Sequence, residues 1–281
     1  MKIGIGHYYL NHYGFADGVA KMAEDGYECL DFSLEDTESE YYTKKDESFL
    51  GTVHKLRRDL KAGGITVEQI HGPLIFPPKD STAEDRADLF EKLTKAAVVA
   101  KYLGAKYMAV HPLMPYGADS DEDPEGVYAL NLEFFKAITN VASKLGVVLC
   151  LENQPFANFP LSSPLAQLRL VREVAHPSLK VCYDAGRANL VGGRISEDLK
   201  EIGDELRILH LNDNYGDTDS HNALFDGSFN WAELAEVLFD VGFDGVIDLE
   251  CDPVKSDEKV TDDERREREK ALARYAKLIA G

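Results

Sequence analysis

Seven ionisable residues stand at the ends of short apolar runs: His7 after KIGIG, His71 in QIH, His111 in AVH, Glu152 in CLE, Asp184 in CYD, His210 in ILH and Glu250 in DLE. Histidines and carboxylates are the groups that move protons near neutral pH and that hold divalent cations. Any one of them alone reads as a structural residue bonded to a neighbouring loop. The succession Glu152, Asp184, His210 and Glu250 asks for more. Three carboxylates brought to one place repel, and burial raises their pKa until some are neutral. A bound divalent cation removes that cost. One histidine with three carboxylates suits Mn²⁺, Mg²⁺, Co²⁺ or Zn²⁺ and needs no thiolate. The alternative is a ring of hydrogen-bonded polar residues without an ion.

Bringing these residues together is the task of the elements that carry them. Eight β-rich runs, at 2–9, 28–34, 66–72, 106–112, 147–153, 179–186, 206–213 and 245–251, alternate with helical stretches. The runs are almost continuously apolar, as strands buried on both faces of a parallel sheet must be. The helical stretches are predicted at 15–26, 48–63, 83–103, 126–145, 164–175, 196–203, 230–241 and 262–280. Apolar stripes mark them, as with Val127, Leu130, Phe134, Ile138, Val141 and Leu145. Gly26, Gly63-Gly64, Gly104, Gly146 and Gly242 supply stops before the following strands. Eight β/α units in 281 residues predict a (β/α)₈ TIM barrel, α/β in class, as a single domain over residues 1–281. A doubly wound open sheet would need a Gly-rich phosphate loop after an early strand, and none is present. In a closed barrel the strand ends converge on one mouth, where the ionisable residues meet.

Composition narrows the partners. With 31 Lys+Arg against 50 Asp+Glu the net charge is −19, which opposes the counterion release that begins binding to nucleic acid or an anionic membrane. Neither is expected as a partner. No apolar run approaches the roughly 20 residues that span a bilayer, and MKIGIGHYYL lacks the features of a secretory leader. Cys29, Cys150, Cys182 and Cys251 lie in apolar runs without CxxC spacing and read as buried, reduced thiols. The expected location is cytoplasmic.

Several short motifs occur in order on successive strands: HGP at 71–73, VHP at 110–112, LEN at 151–153, DAGR at 184–187, HLND at 210–213, Asp219-Ser-His221, and DLE at 248–250. In this order they resemble the xylose-isomerase-like barrels, the superfamily of sugar isomerases, ketose 3-epimerases, inosose dehydratases and the apurinic-endonuclease type. The resemblance covers essentially the whole chain. It implies one divalent metal ion (Mn, Co, Mg or Zn) held by Glu152, Asp184, His210 and Glu250. It also implies that Glu152 and Glu250 serve as the catalytic pair, one taking the proton beside a carbonyl and the other returning it on the opposite face. A metal bridging a carbonyl and a hydroxyl oxygen acidifies that C–H and supports an enediolate.

The chain departs from the family at two places. Where the family often has a histidine that helps hold a third zinc in the endonuclease branch, this chain has Arg187, whose guanidinium stays protonated and does not ligate. Asp219 and His221 match the later part of that zinc set, which is therefore incomplete. Where ketose 3-epimerases carry a substrate-holding arginine six residues after the metal histidine, this chain has Gly216. Arg187 then has two readings, a grip on substrate or a salt bridge to a ligand carboxylate or Asp219.

The substrate-binding candidates are His71, His111, Asn153, Arg187, Asp219 and His221. His71 and His111 contact substrate or support the ligands, with a second metal as the alternative. Asn153 orients Glu152 or bonds a sugar hydroxyl. His7, Tyr8 and Tyr9 close the first strand and either line the pocket or pack. Trp231 packs. The function expected is a metal-dependent isomerase or epimerase of a small keto-sugar or polyol. A dehydratase is the nearest alternative, with His221 or His111 protonating the leaving hydroxyl. More distant ones are an apurinic-endonuclease-type phosphodiesterase and a non-catalytic sugar-binding subunit. Dimers and tetramers are common in that superfamily, which leaves a homo-oligomer open for this chain.

Overall fold

A computed structural model describes residues 1–6, 8–78, 80–255 and 258–281. Among them are eight parallel strands: β1 Lys2–Ile5, β2 Cys29–Ser33, β3 Thr66–His71, β4 Tyr107–Val110, β5 Val148–Glu152, β6 Leu179–Asp184, β7 Leu206–Leu211 and β8 Val246–Leu249. They hydrogen-bond in sequence order, and β8 closes on β1 to complete the barrel. The helices are α1 Tyr8–Tyr13, α2 Phe15–Asp25, α3 Glu40–Thr43, α4 Asp46–Gly63, α5 Ala83–Leu103 and α6 Pro124–Leu145, then α7 Pro164–Val174, α8 Ala185–Leu190, α9 Ile195–Ile202, α10 Trp231–Asp240 and α11 Asp262–Ala280. None is long and apolar enough to cross a membrane.

Local chemistry explains the helix ends. Thr82 with Asp85, and Thr261 with Glu264, form reciprocal capping boxes at the starts of α5 and α11. Ser163 caps α7 ahead of Pro164, and Asp123 caps α6 ahead of Pro124. The apolar stripes of these helices cover the outer face of the sheet, where Leu149, Leu151, Val181, Leu209 and Leu211 are buried. The opposite face of the strands fills the barrel. Ala109, Cys150, Cys182 and Ile208 form a separate buried cluster there, one small layer from four consecutive strands. All four cysteines are buried, and none of them is in a disulfide.

Two sequence expectations need correction. The run 2–9 is not one strand: β1 ends at Ile5, and Tyr8–Tyr13 is helical. Tyr9 and Tyr13, one helical turn apart, bring their rings to 4.9 Å, and the Tyr9 hydroxyl donates to buried Asp25 at 2.5 Å. Tyr9 therefore packs beneath α2, while His7 lies outside the described residues. The sixth run stops at Asp184 instead of 186, because the Asp184 side chain accepts from Arg187 N at 2.7 Å and starts α8 at Ala185.

Candidate active site

Strand periodicity sets the site one layer above the small cluster. Two residues beyond Cys150, Cys182 and Ile208 come Glu152, Asp184 and His210, facing the same interior. The register pairs Asp184 with His210 directly, and Glu250 continues the β8 ladder by donating its N–H to Leu211 O at 3.1 Å. One ligand atom from each of Glu152, Asp184, His210 and Glu250 lies within 4.8 Å of the others. All but Glu250 are fully buried; its side chain keeps 19% exposure and faces a polar cavity.

The Glu152 carboxylate is the hub, and its two oxygens face different partners. Oε1 lies 2.5 Å from His210 Nδ1. Oε2 meets Arg187 Nη1 at 2.8 Å, His111 Nε2 at 2.7 Å and His71 Nε2 at 3.3 Å. Behind the hub, Gln154 and Gln167 donate to the Glu152 backbone carbonyl. On the far side of the His210 ring, Nε2 lies 3.0 Å from Asp31 Oδ2, which also accepts from Gln69 at 2.8 Å. A carboxylate behind an imidazole fixes the orientation and tautomer of a ligating histidine.

Arg187 follows from the cap made by Asp184. One turn into α8, its guanidinium returns over the strand ends and also approaches Asp219 Oδ2 (3.5 Å) and Asp184 Oδ2 (3.8 Å). Gly186 permits this approach: a Cβ there would lie 1.8 Å from Oδ1 of Asn212, whose amide donates to Asp184 Oδ2 at 3.1 Å. His221 is held at φ 45°, with Nδ1 2.7 Å from the Glu250 carbonyl and Nε2 3.4 Å from Asp219 Oδ1. A left-handed backbone at a β-carbon-bearing residue is costly and points to a constrained position.

These contacts polarise the site. Burial raises the Glu152 carboxyl, but Arg187 and His210 outweigh it and hold it well below the usual carboxylate range. Burial wins at Asp184, which is pushed up against the pull of Arg187. Burial opposes charge on His71 and His221 too, yet Glu35 and Glu152 lift His71 to about 10, and Asp219 and Glu250 lift His221 to about 10. His111 is lowered by burial and stays neutral.

The donor set fits a divalent cation on three observations: carboxylate and imidazole donors, their mutual proximity, and the buried Glu250 Oε2, which among the described residues has no hydrogen bond and lies 3.3 Å from His210 Nδ1. His71, His111 and Glu152 also approach one another as metal ligands do. There, however, the shared oxygen already meets the Arg187 guanidinium, which itself lies 3.4 Å from His111 Nε2 and repels a cation.

The fold thus gathers nine of the ten candidate site residues around one mouth. Asn153 is the correction. Its amide donates to Asp184 O at 2.9 Å and accepts from Asp184 N at 2.8 Å, so it is buried in the β5–β6 seam instead of facing the mouth. Trp231 packs as expected, with its indole N–H donating to Asp213 at 2.9 Å. Sequence reasoning missed Asp31 and Asp248. Asp248 is paired in register with His210, is fully buried, and among the described residues has no hydrogen bond to either carboxylate oxygen. Burial, then the charge of Asp31, push it well up toward the neutral acid. The signal was available: both are acids in the middle of runs apolar enough to be buried on both faces.

Comparison with known proteins agrees with this architecture. Residues 19–278 match the model of the Xylose isomerase-like TIM barrel family. A D-psicose 3-epimerase of Ruminiclostridium cellulolyticum is 24% identical over 262 residues, 89% of this chain and 83% of the relative. A crystal structure of D-psicose 3-epimerase in the presence of D-fructose superposes with TM-score 0.81 over all of both chains at 19% identity. The IOLI protein with a bound zinc atom superposes with TM-score 0.77 at 16% identity, covering 100% of this chain and 96% of that one. The closed eight-stranded barrel, its ordered motifs and this match together show that the chain belongs to the xylose isomerase-like TIM barrel family.

Proposed function

We propose that this protein is a divalent-metal-dependent sugar epimerase or isomerase that moves the proton beside the carbonyl of a small keto-sugar or polyol through an enediolate. The observation that carries the reading is the convergence of Glu152, Asp184, His210 and Glu250 at the barrel mouth. These four would hold the cation, which when bound polarises the substrate carbonyl and acidifies the adjacent C–H. The homology to D-psicose 3-epimerases and the zinc in the IOLI structure support the same reading. The buried thiols, outside any disulfide, support a cytoplasmic enzyme.

The chain's own residues supply the rest. Glu250, at the polar cavity, and Glu152, at the buried end of the cluster, are the two proton carriers. Arg187 keeps Glu152 ionised and thus able to accept a proton. Asp31 orients His210, while His71, His111, Asp219 and His221 supply groups that bond substrate oxygens. His221 also supports the dehydratase reading: it lines the polar cavity and is held protonated, as an acid for a leaving hydroxyl must be.

The test is solvent deuterium exchange at the carbon next to the carbonyl, with ketoses and inososes offered to Mn²⁺-loaded protein. Exchange with epimer formation is expected, and Glu152→Gln with Glu250→Gln should abolish it in a folded protein. An unsaturated product instead identifies the dehydratase. Undiminished turnover by the double variant overturns the assigned proton carriers.

A further inference from the structure

The reactive cluster lies between two cavities of opposite character. On the β1, β2 and β8 side, a cavity of about 920 Å³ is lined by Asp31, Ser33, Glu35, His71, His221 and Glu250, among other groups. On the side of the loops after β3, β4 and β5, a second cavity of about 340 Å³ is walled mainly by apolar side chains, including Leu74, Phe76, Met114 and Phe156. His111 and Arg187 line this second cavity, and both touch Glu152 Oε2. The apolar cavity therefore adjoins the reaction centre.

A free ketose fits the first cavity and leaves the second unexplained. Every carbon of such a sugar beyond the carbonyl carries a hydroxyl, and a hydroxyl buried against a wall without hydrogen-bonding partners is disfavoured. The polar groups in that wall, besides His111 and Arg187, are turned elsewhere: Asp80 Oδ2 accepts from Met114 N at 2.6 Å while its Oδ1 is closed off from solvent, Gln154 donates to the Glu152 carbonyl at 2.8 Å, and Asp219 Oδ2 lies 3.5 Å from Arg187 Nε. The cavity has room for a ring, since about 150 Å³ of apolar space is enough for benzene. It also has surfaces to receive one. The Phe76 and Phe156 rings are parallel to within 6°, with centroids 6.2 Å apart, and Phe76 is 63% exposed. An aromatic pair left open beside a reaction centre is a surface for a flat apolar group.

We propose that the substrate is a keto-sugar bearing a flat, apolar ring substituent, an aryl glycoside in kind, with its carbohydrate in the polar cavity and its ring against Phe76 and Phe156. The proposal rests on the carbohydrate reading above and deepens it. His111 and Arg187 then mark the junction, where the glycosidic oxygen crosses from one cavity to the other.

The test is isothermal titration calorimetry of the Mn²⁺-loaded full chain with 4-nitrophenyl β-D-glucopyranoside and methyl β-D-glucopyranoside. These share a sugar and lack the reactive carbonyl, so binding is read without turnover. The aryl glycoside should bind about tenfold or more tightly than the methyl one, from the apolar area its ring buries. Phe76→Ala and Phe156→Ala should each remove most of that preference; Phe76 is exposed enough that its loss leaves the fold intact. Equal affinities, no binding by either, or an aryl preference untouched in both variants overturns the proposal. Deuterium exchange on free ketoses and on the 3-keto form of the aryl glycoside separates the two ideas. Exchange without an aryl preference leaves the proton-transfer reading standing alone, and an aryl preference without exchange from any substrate leaves the binding proposal alone.

Discussion

Arg187 Nη1 lies 2.8 Å from Glu152 Oε2, joining the first turn of α8 to the end of β5 across the barrel mouth. Both side chains are almost wholly buried, so the guanidinium balances a carboxylate that water does not reach. Removing one partner of such a pair leaves the other uncompensated, at about 3–5 kcal/mol. Arg187→Met is expected to lose stability of that order in urea unfolding with chelator present. The same change removes a positive charge beside the four donors, so it should tighten Mn²⁺ binding. Weaker metal binding in the variant would contradict the placement of the cation there.

Asp31 acts on the site through the His210 ring, 3.0 Å from Nε2. Asp31→Asn preserves shape but loses the charge that orients the imidazole and raises its basicity. Carboxylate partners of ligating histidines typically contribute 10- to 100-fold to metal affinity. A loss of about that size is expected in competition titrations with a metal-sensitive dye, with the melting temperature of metal-free protein far less affected. Unchanged affinity would show that His210 does not ligate.

Gly186 carries a packing prediction. The Cβ of Gly186→Ala would lie 1.8 Å from the Asn212 side chain. Overpacking of this sort costs about 1–3 kcal/mol, and relief comes only by displacing the amide that bonds Asp184. Reduced stability together with reduced metal occupancy is expected, read by thermal unfolding and elemental analysis. Asn212→Gly in the same chain should recover part of the stability and none of the occupancy.

Away from the mouth, Glu269 on α11 makes stability depend on pH. It is fully buried, with Arg265 Nη1 at 3.5 Å and the Tyr27 hydroxyl at 3.4 Å, and burial followed by Asp252 pushes its carboxyl up to about 8. The folded state therefore keeps a proton that the unfolded chain, at its ordinary 4.5, has released. Stability from this group is present at low pH and falls as pH rises between those values, by up to about 1.4 kcal/mol per unit. Glu269→Gln should match the wild type near pH 5 and exceed its melting temperature increasingly toward pH 8, at fixed metal concentration. Parallel curves would refute the assignment.

Much of the architecture was legible because each strand is buried on both faces and each helix on one, so hydrophobic runs and stripes mark them directly. The same rule exposed Glu152, Asp184, His210 and Glu250, which end apolar runs. It also marked Asp31 and Asp248, but attention to strand ends passed over acids in mid-strand. The start of the chain misled for a different reason. Tyr8 and Tyr9 suit a strand by composition, while the Tyr9–Tyr13 pairing and the bond to Asp25 depend on α2 lying alongside.

The sequence by itself determined the barrel, the order of its units and the four polar residues raised to its mouth, since periodicity and residue type are local properties of a chain. The tertiary structure decided which oxygen of Glu152 faces which partner, that Arg187 returns to meet it, and that Asn153 turns into a seam. It also decided that a polar cavity lined by Glu250 and an apolar one lined by His111 and Arg187 flank the same cluster. Those outcomes depend on the angle at which distant strands and loops approach one another, set by barrel closure and side-chain packing across the whole fold, which no short stretch of sequence contains.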